Sequence, residues 1–218
     1  MADFKTADNI TLKAEGGYSF VAGDKGGETY EGIARASNPS WAGWAIIDKY
    51  KAAHGAIKNN FKIPDPALQP LVDSFYQKEY WDTISGDKIT SQPVANIFYD
   101  MHVNSGAAVK IMKTVVKQMG KPIAAIDNHF DPDTLTAINS LPPNDLYQNY
   151  KDARKAYYEV EVKDGNIEQK FLDGLLKRVD MYFPDLKKKV LEGGIGLIGV
   201  GAIGTGIYFG MKLLKGKK

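Results

Sequence analysis

The sequence predicts a mainly α-helical fold with a small irregular or β-hairpin region near residues 18–35 and an apolar helix at the C-terminus. Three observations point to it. Between residues 41 and 183 apolar side chains return every three or four positions, the spacing that lines one face of a helix. Few segments alternate with a period of two, so strands have little to build on. Glycines crowd positions 16–32, where helical periodicity disappears.

The elements follow in order. Over residues 3–15, Phe4, Asp8, Thr11 and Glu15 fall on one line of a helix with Ala7 and Ala14 beside them, and Gly16-Gly17 stops it. Residues 18–40 read as loops or a small hairpin, and 41–58 as a helix. Asp65-Pro66 opens another helix, as N-cap and first-turn proline, running towards Trp81. Ser91 and Pro93 open a third, with the apolar stripe Val94, Ile97, Phe98 and Met101. On a different face sit Asn96, Asp100 and Asn104, either a solvated surface or the lining of a cleft. Ala108, Ile111, Met112, Val115, Val116 and Met119 mark a fourth, stopped by Gly120-Lys121-Pro122. Asp131-Pro132-Asp133 caps a short helix through Ile138, and Pro142-Pro143-Asn144-Asp145 begins a long one through Glu161. Phe171, Leu172, Leu175, Leu176, Val179 and Phe183 stripe the last, which Pro184 ends. A join near residues 83–92 separates segment 1–90 from segment 91–184, and 185–218 stands apart as a tail.

The chain has 218 residues, 44% of them hydrophobic, enough for a sizeable core. It has no cysteine, which excludes disulfide scaffolds, thiol catalysis and cysteine-based zinc sites. His54, His102 and His129 show no metal-ligand spacing, and neither metal nor organic cofactor is expected. The net charge of +2 is uneven: from Asp185 on there are seven lysines and two acids, which leaves −3 for everything before. A mildly acidic body argues against nucleic acid as a partner.

In the tail, residues 193–211 run 19 positions without a charge between lysine clusters, about long enough to cross a hydrocarbon core as a helix. Spacings such as Gly206 to Gly210 suit close helix contact in lipid. A transmembrane segment is therefore expected, its orientation left open because lysines flank both ends. The N-terminus has no basic flank followed by an apolar run, so no secretory signal peptide is expected. Gly199-Val200-Gly201-Ala202-Ile203-Gly204 matches a dinucleotide fingerprint, but the chain ends 14 residues later, before the acid such a site needs.

The most informative stretch is Glu15-Gly16-Gly17-Tyr18, followed by Gly26-Gly27-Glu28-Thr29 and Gly32-Ile33. Glu15 sits at the negative end of a helix dipole, which disfavours its charge and raises its pKa. That suits a general acid working near neutral pH. A polar Glu/Thr/Tyr cluster folding back over it supplies groups on the other side of a sugar, as a glycosidase requires.

At these residues the chain resembles the lysozyme-like muramidases of glycoside hydrolase family 108, found in bacteria and phages. Asp24, the pairs Tyr80-Trp81 and Gly86-Asp87, and, in the second half, Phe98-Tyr99-Asp100, Val103-Asn104-Ser105-Gly106, Asp133-Thr134-Leu135, Arg154, Tyr157-Tyr158 and Arg178-Val179 extend the resemblance over residues 5–183. The chain departs from the family at Ser19–Gly23, where an Asn-Asp-Pro type turn is usual, and at Glu31, where Tyr commonly precedes Gly-Ile.

The resemblance implies a lysozyme-like catalytic lobe over 1–90 and a helical peptidoglycan-binding lobe over 91–184. It implies that Glu15 is the acid that cleaves the β-1,4 bond between N-acetylmuramic acid and N-acetylglucosamine. Asp24, nine residues on, either places water or serves a turn, and Thr29 is a candidate to hold the attacking water. Glu28 is either a structural hydrogen-bonding residue or a second acid. Tyr18 and Tyr30, with Trp41 and Trp44, either stack on sugar faces or belong to the core, and Asp100 and Asn104 are candidates to line the glycan cleft. Peptidoglycan glycan strands are the expected partner, with membrane contact through 193–211 and a place in the cell envelope at the inner membrane. The rival reading is a non-catalytic, membrane-anchored peptidoglycan-binding protein, which the altered turn at Ser19–Gly23 keeps open.

Overall fold

Eight α-helices and one three-stranded antiparallel sheet make up the described residues, the mainly helical fold that the periodicity predicts. The structure, a computed structural model, describes residues 1–12, 16–20 and 27–180. Glu15, Asp24, Phe183 and the expected membrane segment at 193–211 lie outside them. Among the described residues no helix is long and apolar enough to cross a membrane. The chain divides into two units, one of Asp3–Asp87 and one of Met1–Ala2 with the chain from Lys88 on.

In the first unit, α1 (Phe4–Thr11) begins at Asp3, whose carboxylate accepts hydrogen bonds from the Thr6 N–H and hydroxyl, each at 2.7 Å. Phe4, Ala7, Asp8 and Thr11 are its buried face. The strands β1 (Tyr18–Phe20), β2 (Glu28–Tyr30) and β3 (Ile33–Ala34) pair in sequence order. Only Glu31 and Gly32 connect β2 to β3, with φ of 44° and 80°. Two left-handed residues make the tight turn whose twist matches a hairpin. Glycine adopts this freely. Glu31 is held in it by its N–H, which donates to the Gly17 carbonyl at 3.1 Å, and by its carbonyl, which accepts from the Tyr76 hydroxyl at 2.8 Å.

The strand register sorts the sheet's side chains into two rows. Tyr18, Tyr30 and Ile33 oppose one another in a buried row, while Ser19, Thr29 and Ala34 form a half-buried row on the other face. Below the sheet, α2 (Gly43–His54) buries Trp44 and Ile47, and α3 (Leu68–Tyr76) buries Leu68, Val72 and Tyr76. The helix expected to run on to Trp81 instead widens over Gln77–Trp81 and tightens over Asp82–Ile84 and Gly86–Lys88. The cause is the fully buried Trp81 indole, around which the chain wraps. Its N–H donates to Asp87 at 2.6 Å, and a Cβ at Gly86 would lie 2.3 Å from its ring. Only glycine fits there.

In the second unit, α4 (Gln92–Asn104) is buried at every position from Val94 to Met101. It packs on α5 (Ala108–Gln118) and α7 (Pro143–Lys163), and α7 also carries α8 (Leu172–Asp180). Polar spacing on α4 therefore does not mark a solvated face. Asp100 is fully buried, bound by Arg154 of α7 at 2.5 Å and by Arg178 of α8 at 2.9 Å. Between α5 and α6 (Pro132–Asn139), the buried Lys113 ammonium donates to Asp127 at 2.8 Å and Asp131 at 2.7 Å. Asp131 also caps α6 through the Thr134 N–H at 2.7 Å.

Candidate active site

The turn that follows Glu15 is fixed from two sides. On one, the Tyr18 N–H donates to the Phe61 carbonyl at 2.9 Å and the Asn60 N–H donates to the Tyr18 carbonyl at 2.7 Å, so residues 59–61 run along the free edge of β1. On the other, the Glu31 N–H holds the Gly17 carbonyl. The approach is too close for side chains: a Cβ at Gly17 would lie 2.2 Å from the Phe61 carbonyl oxygen, and one at Gly16 would lie 2.6 Å from Asn60 Oδ1. The double glycine is thus required by the packing of this loop.

The buried face of the sheet carries a charge cluster. The Glu28 carboxylate lies 2.5 Å from Lys51 Nζ and 2.6 Å from Arg35 Nε, the latter an ion pair without hydrogen-bond alignment. Arg35 makes a two-pronged contact with Asp48 at 3.0 Å and 2.6 Å and lies over the Trp44 ring at 4.4 Å. The hydrogen bond to Asp48 raises the Arg35 pKa and lowers that of Asp48. Burial, and then the hydrogen bond to Glu28, push the Tyr18 phenol up to about 12. Both carboxylate oxygens of Glu28 are thus paired with cations. Tyr18 and Tyr30, 5% and 3% exposed, are core side chains that offer no ring face to a sugar. Trp44 is likewise buried, while Trp41 lines an open cavity of about 340 Å³ with Phe75, Lys78 and Glu79.

The opposite face is different. Ser19 and Thr29 are cross-strand partners there, both partly open to solvent, and the Thr29 hydroxyl has no hydrogen-bond partner among the described residues. Of the described residues that spacing singles out, Thr29 alone stands on a free polar face of this unit. Asp100 belongs to the interior of the helical unit. Asn104 is exposed, but its amide donates back to the Asp100 carbonyl at 2.6 Å. Among the described residues no three His, Asp or Glu side chains converge to hold a metal.

The glycosyl hydrolase 108 model matches residues 9–106, from α1 through the whole sheet to the end of α4. That stretch is similar to the glycosyl hydrolase 108 family. The match supports a glycoside hydrolase activity for this stretch. In fold it is similar to the solved structure of Brucella abortus SagA, at 22% identity and a TM-score of 0.53 over 84% of this chain and 97% of that one. A comparison with curated proteins finds no match.

Within the glycosyl hydrolase segment, sequence spacing misses three groups that the structure brings together. Arg35 and Lys51 clamp Glu28 from outside its motif. Glu31 is buried beside Lys62 at 3.1 Å. Asn60 and Phe61 brace the double glycine. Only the Asn59-Asn60 pair leaves a trace in the sequence, as a turn signal, since asparagine tolerates the left-handed conformation that Asn60 adopts at φ 64°.

Proposed function

We propose that this protein is an N-acetylmuramidase, cleaving the β-1,4 bond between N-acetylmuramic acid and N-acetylglucosamine with Glu15 as general acid. The reading is supported by the Gly16-Gly17 turn, which is locked by residues 59–61 and leads into a sheet whose free face presents Ser19 and Thr29. Glu15 delivers a proton to the leaving glycosidic oxygen while water, placed by Asp24 or Thr29, adds to the anomeric carbon. The helical lobe over 91–184 is assigned to peptidoglycan binding, and the tail at 193–211 to contact with the inner membrane, where wall lysis or remodelling takes place.

A turbidity assay on purified cell walls tests the enzyme. Glu15→Gln removes the proton donor and keeps the shape, so clearing is lost while wall binding persists. Clearing at the wild-type rate by that variant would end the assignment. Mass analysis of the released fragments reads which bond is cut. For the tail, a chain ending at Pro184 loses its partition into membranes; equal partition would refute the membrane assignment.

A further inference from the structure

A cavity of the first unit, between the start of α2 and the end of α3, has the build of a binding site. It holds about 340 Å³, at the small end of the about 300–1,000 Å³ that ligand pockets span. Trp41 and Phe75 line it, both only partly buried. The Trp41 indole is fixed in place: its N–H donates to the Leu71 carbonyl at 3.3 Å, the Tyr30 ring stacks on it at 6.3 Å, and the Trp44 ring meets it edge-on at 5.1 Å. Gly43 completes the seat, since a Cβ there would lie 2.2 Å from the far edge of the indole. The ring is thus held by four groups and still partly open where it lines the cavity. Tyr30 belongs to the buried row of the sheet, so the cavity lies behind the sheet from Ser19 and Thr29.

We propose that this cavity is a saccharide site, with the Trp41 indole and the Phe75 ring as its platform, apart from the sheet face that presents Thr29. The inference rests on the glycosidase reading of the chain and adds a second place where a pyranose unit of the glycan is held. The platform is the first argument. A pyranose turns an apolar C–H face to an aromatic ring, and an indole fixed before the sugar arrives loses no freedom on binding. The polar lining is the second. Ser40, Ser74, Lys78 and Glu79 border the same cavity, and their side chains make no hydrogen bond or ion pair among the described residues. Two hydroxyls, an ammonium and a carboxylate offer both donors and acceptors, the mixture that suits sugar hydroxyls, each of which is both.

A proline-rich peptide, the other ligand that aromatic-lined grooves take, fits less well. Its apolar rings offer few donors, so the two serines, the lysine and the glutamate would lose water without gaining partners. A lipid surface calls for a basic rim, and here the charge of Lys78 is offset by Glu79 next to it.

The test is a fluorescence titration of the full chain with a β-1,4-linked hexamer of N-acetylglucosamine, with acrylamide as quencher. Trp44 and Trp81 are 3% and 0% exposed, so Trp41 is the tryptophan that the quencher reaches. Saturating hexamer is expected to shield it, and Trp41→Phe to abolish the response. Phe75→Leu removes the flat ring and keeps apolar bulk, while Ser40→Leu pushes bulk into the mouth from an exposed position. Each is expected to raise the half-saturating concentration about fivefold, the size of one lost ring contact, with the unfolding midpoint near that of the wild type. No shielding in the wild type overturns the site, as does an unchanged half-saturation in both variants. A response that survives Trp41→Phe places the sugar elsewhere and overturns it too. Shielding by a proline-rich decapeptide and not by the hexamer also overturns it and gives the cavity to a polypeptide. The glycosidase reading is judged separately by wall clearing. A chain that clears walls without shielding of Trp41 loses the site alone; one that shields Trp41 through these residues but clears nothing loses the enzymatic reading alone.

Discussion

Asp100 and Arg154 meet inside the helical unit at 2.5 Å, and neither side chain is exposed to solvent. Arg178 reaches the second carboxylate oxygen at 2.9 Å, so one aspartate ties α4 to both α7 and α8. Asp100→Asn keeps the shape and removes the charge, leaving the Arg154 guanidinium buried and uncompensated. Breaking such a pair from one side costs about 3–5 kcal/mol. Urea unfolding of the variant is expected to show a loss of that size. Arg178→Ala, which leaves the central pair intact and removes a partly exposed partner, is expected to cost distinctly less. Equal stability of Asp100→Asn and wild type would show that the pair does not hold the unit together.

The Lys113 cluster makes stability depend on acid pH. Its hydrogen bonds hold Asp131 down to about 2 and lower Asp127 as well. In the unfolded chain an aspartate titrates near 3.9, so across this interval the unfolded state binds more protons. The stabilisation is complete above about pH 4 and is lost as pH falls towards about 2, through the folded value. Lys113→Met fills the same buried space without the charge. Thermal unfolding as a function of pH is expected to show a flatter dependence in this interval for the variant, with lower stability at neutral pH. An unchanged slope would place the acid sensitivity elsewhere.

What the sequence makes legible is whatever is decided locally. Asp3 and Asp131 cap their helices because a carboxylate a few residues ahead of an amide needs no distant partner. The apolar stripes of α4 and α5 return as buried faces for the same reason. Asp100 is not legible, because its meaning depends on an arginine 54 positions away, and a polar residue at helical spacing looks the same on a wet face or a dry one. Glu28 stays undecided in the sequence for a like reason: its motif is local, but Arg35 and Lys51, which pair with it, arrive from just after β3 and from α2. The Gly16-Gly17 pair reads as a helix stop, yet its stricter reason is the Phe61 carbonyl that fills the space of a side chain.

Glu28 offers a clean separation of structure from catalysis. Glu28→Gln removes the charge facing Arg35 and Lys51 and is expected to cost about 1.5–3 kcal/mol, the range for hydrogen bonds to charged groups. Below its unfolding temperature the variant is expected to clear cell walls at nearly the wild-type rate. Loss of a general acid or base would instead slow the reaction by about 100-fold or more. The Tyr18 phenol supplies a second readout. Burial and the neighbouring carboxylate set it at about 12, so with the charge gone its ultraviolet titration should move to lower pH. A variant that folds as stably as wild type but no longer clears walls would make Glu28 the second catalytic acid after all.

Gly17→Ala tests whether the locked turn matters to the reaction. The added methyl would sit 2.2 Å from the Phe61 carbonyl oxygen, 2.5 Å from its carbon and 2.9 Å from the Lys62 nitrogen. All three are backbone atoms, so no side chain can swing aside; either residues 59–61 leave the edge of β1 or the turn moves. A cost above about 2 kcal/mol is expected, as for other forced backbone shifts. Gly106→Ala is the control, since a Cβ there meets nothing within 4 Å and the residue lacks a positive φ. Gly27→Ala is the intermediate case, free of contacts but at φ 63°, where backbone strain alone costs about 1 kcal/mol. If the turn positions Glu15, wall clearing by Gly17→Ala should fall far more than its stability loss explains when assayed well below its unfolding midpoint. Gly106→Ala and Gly27→Ala should then keep their activity in proportion to the folded fraction. Clearing by Gly17→Ala that merely tracks its folded fraction would mean that the packing of residues 59–61 supports the fold without directing the acid.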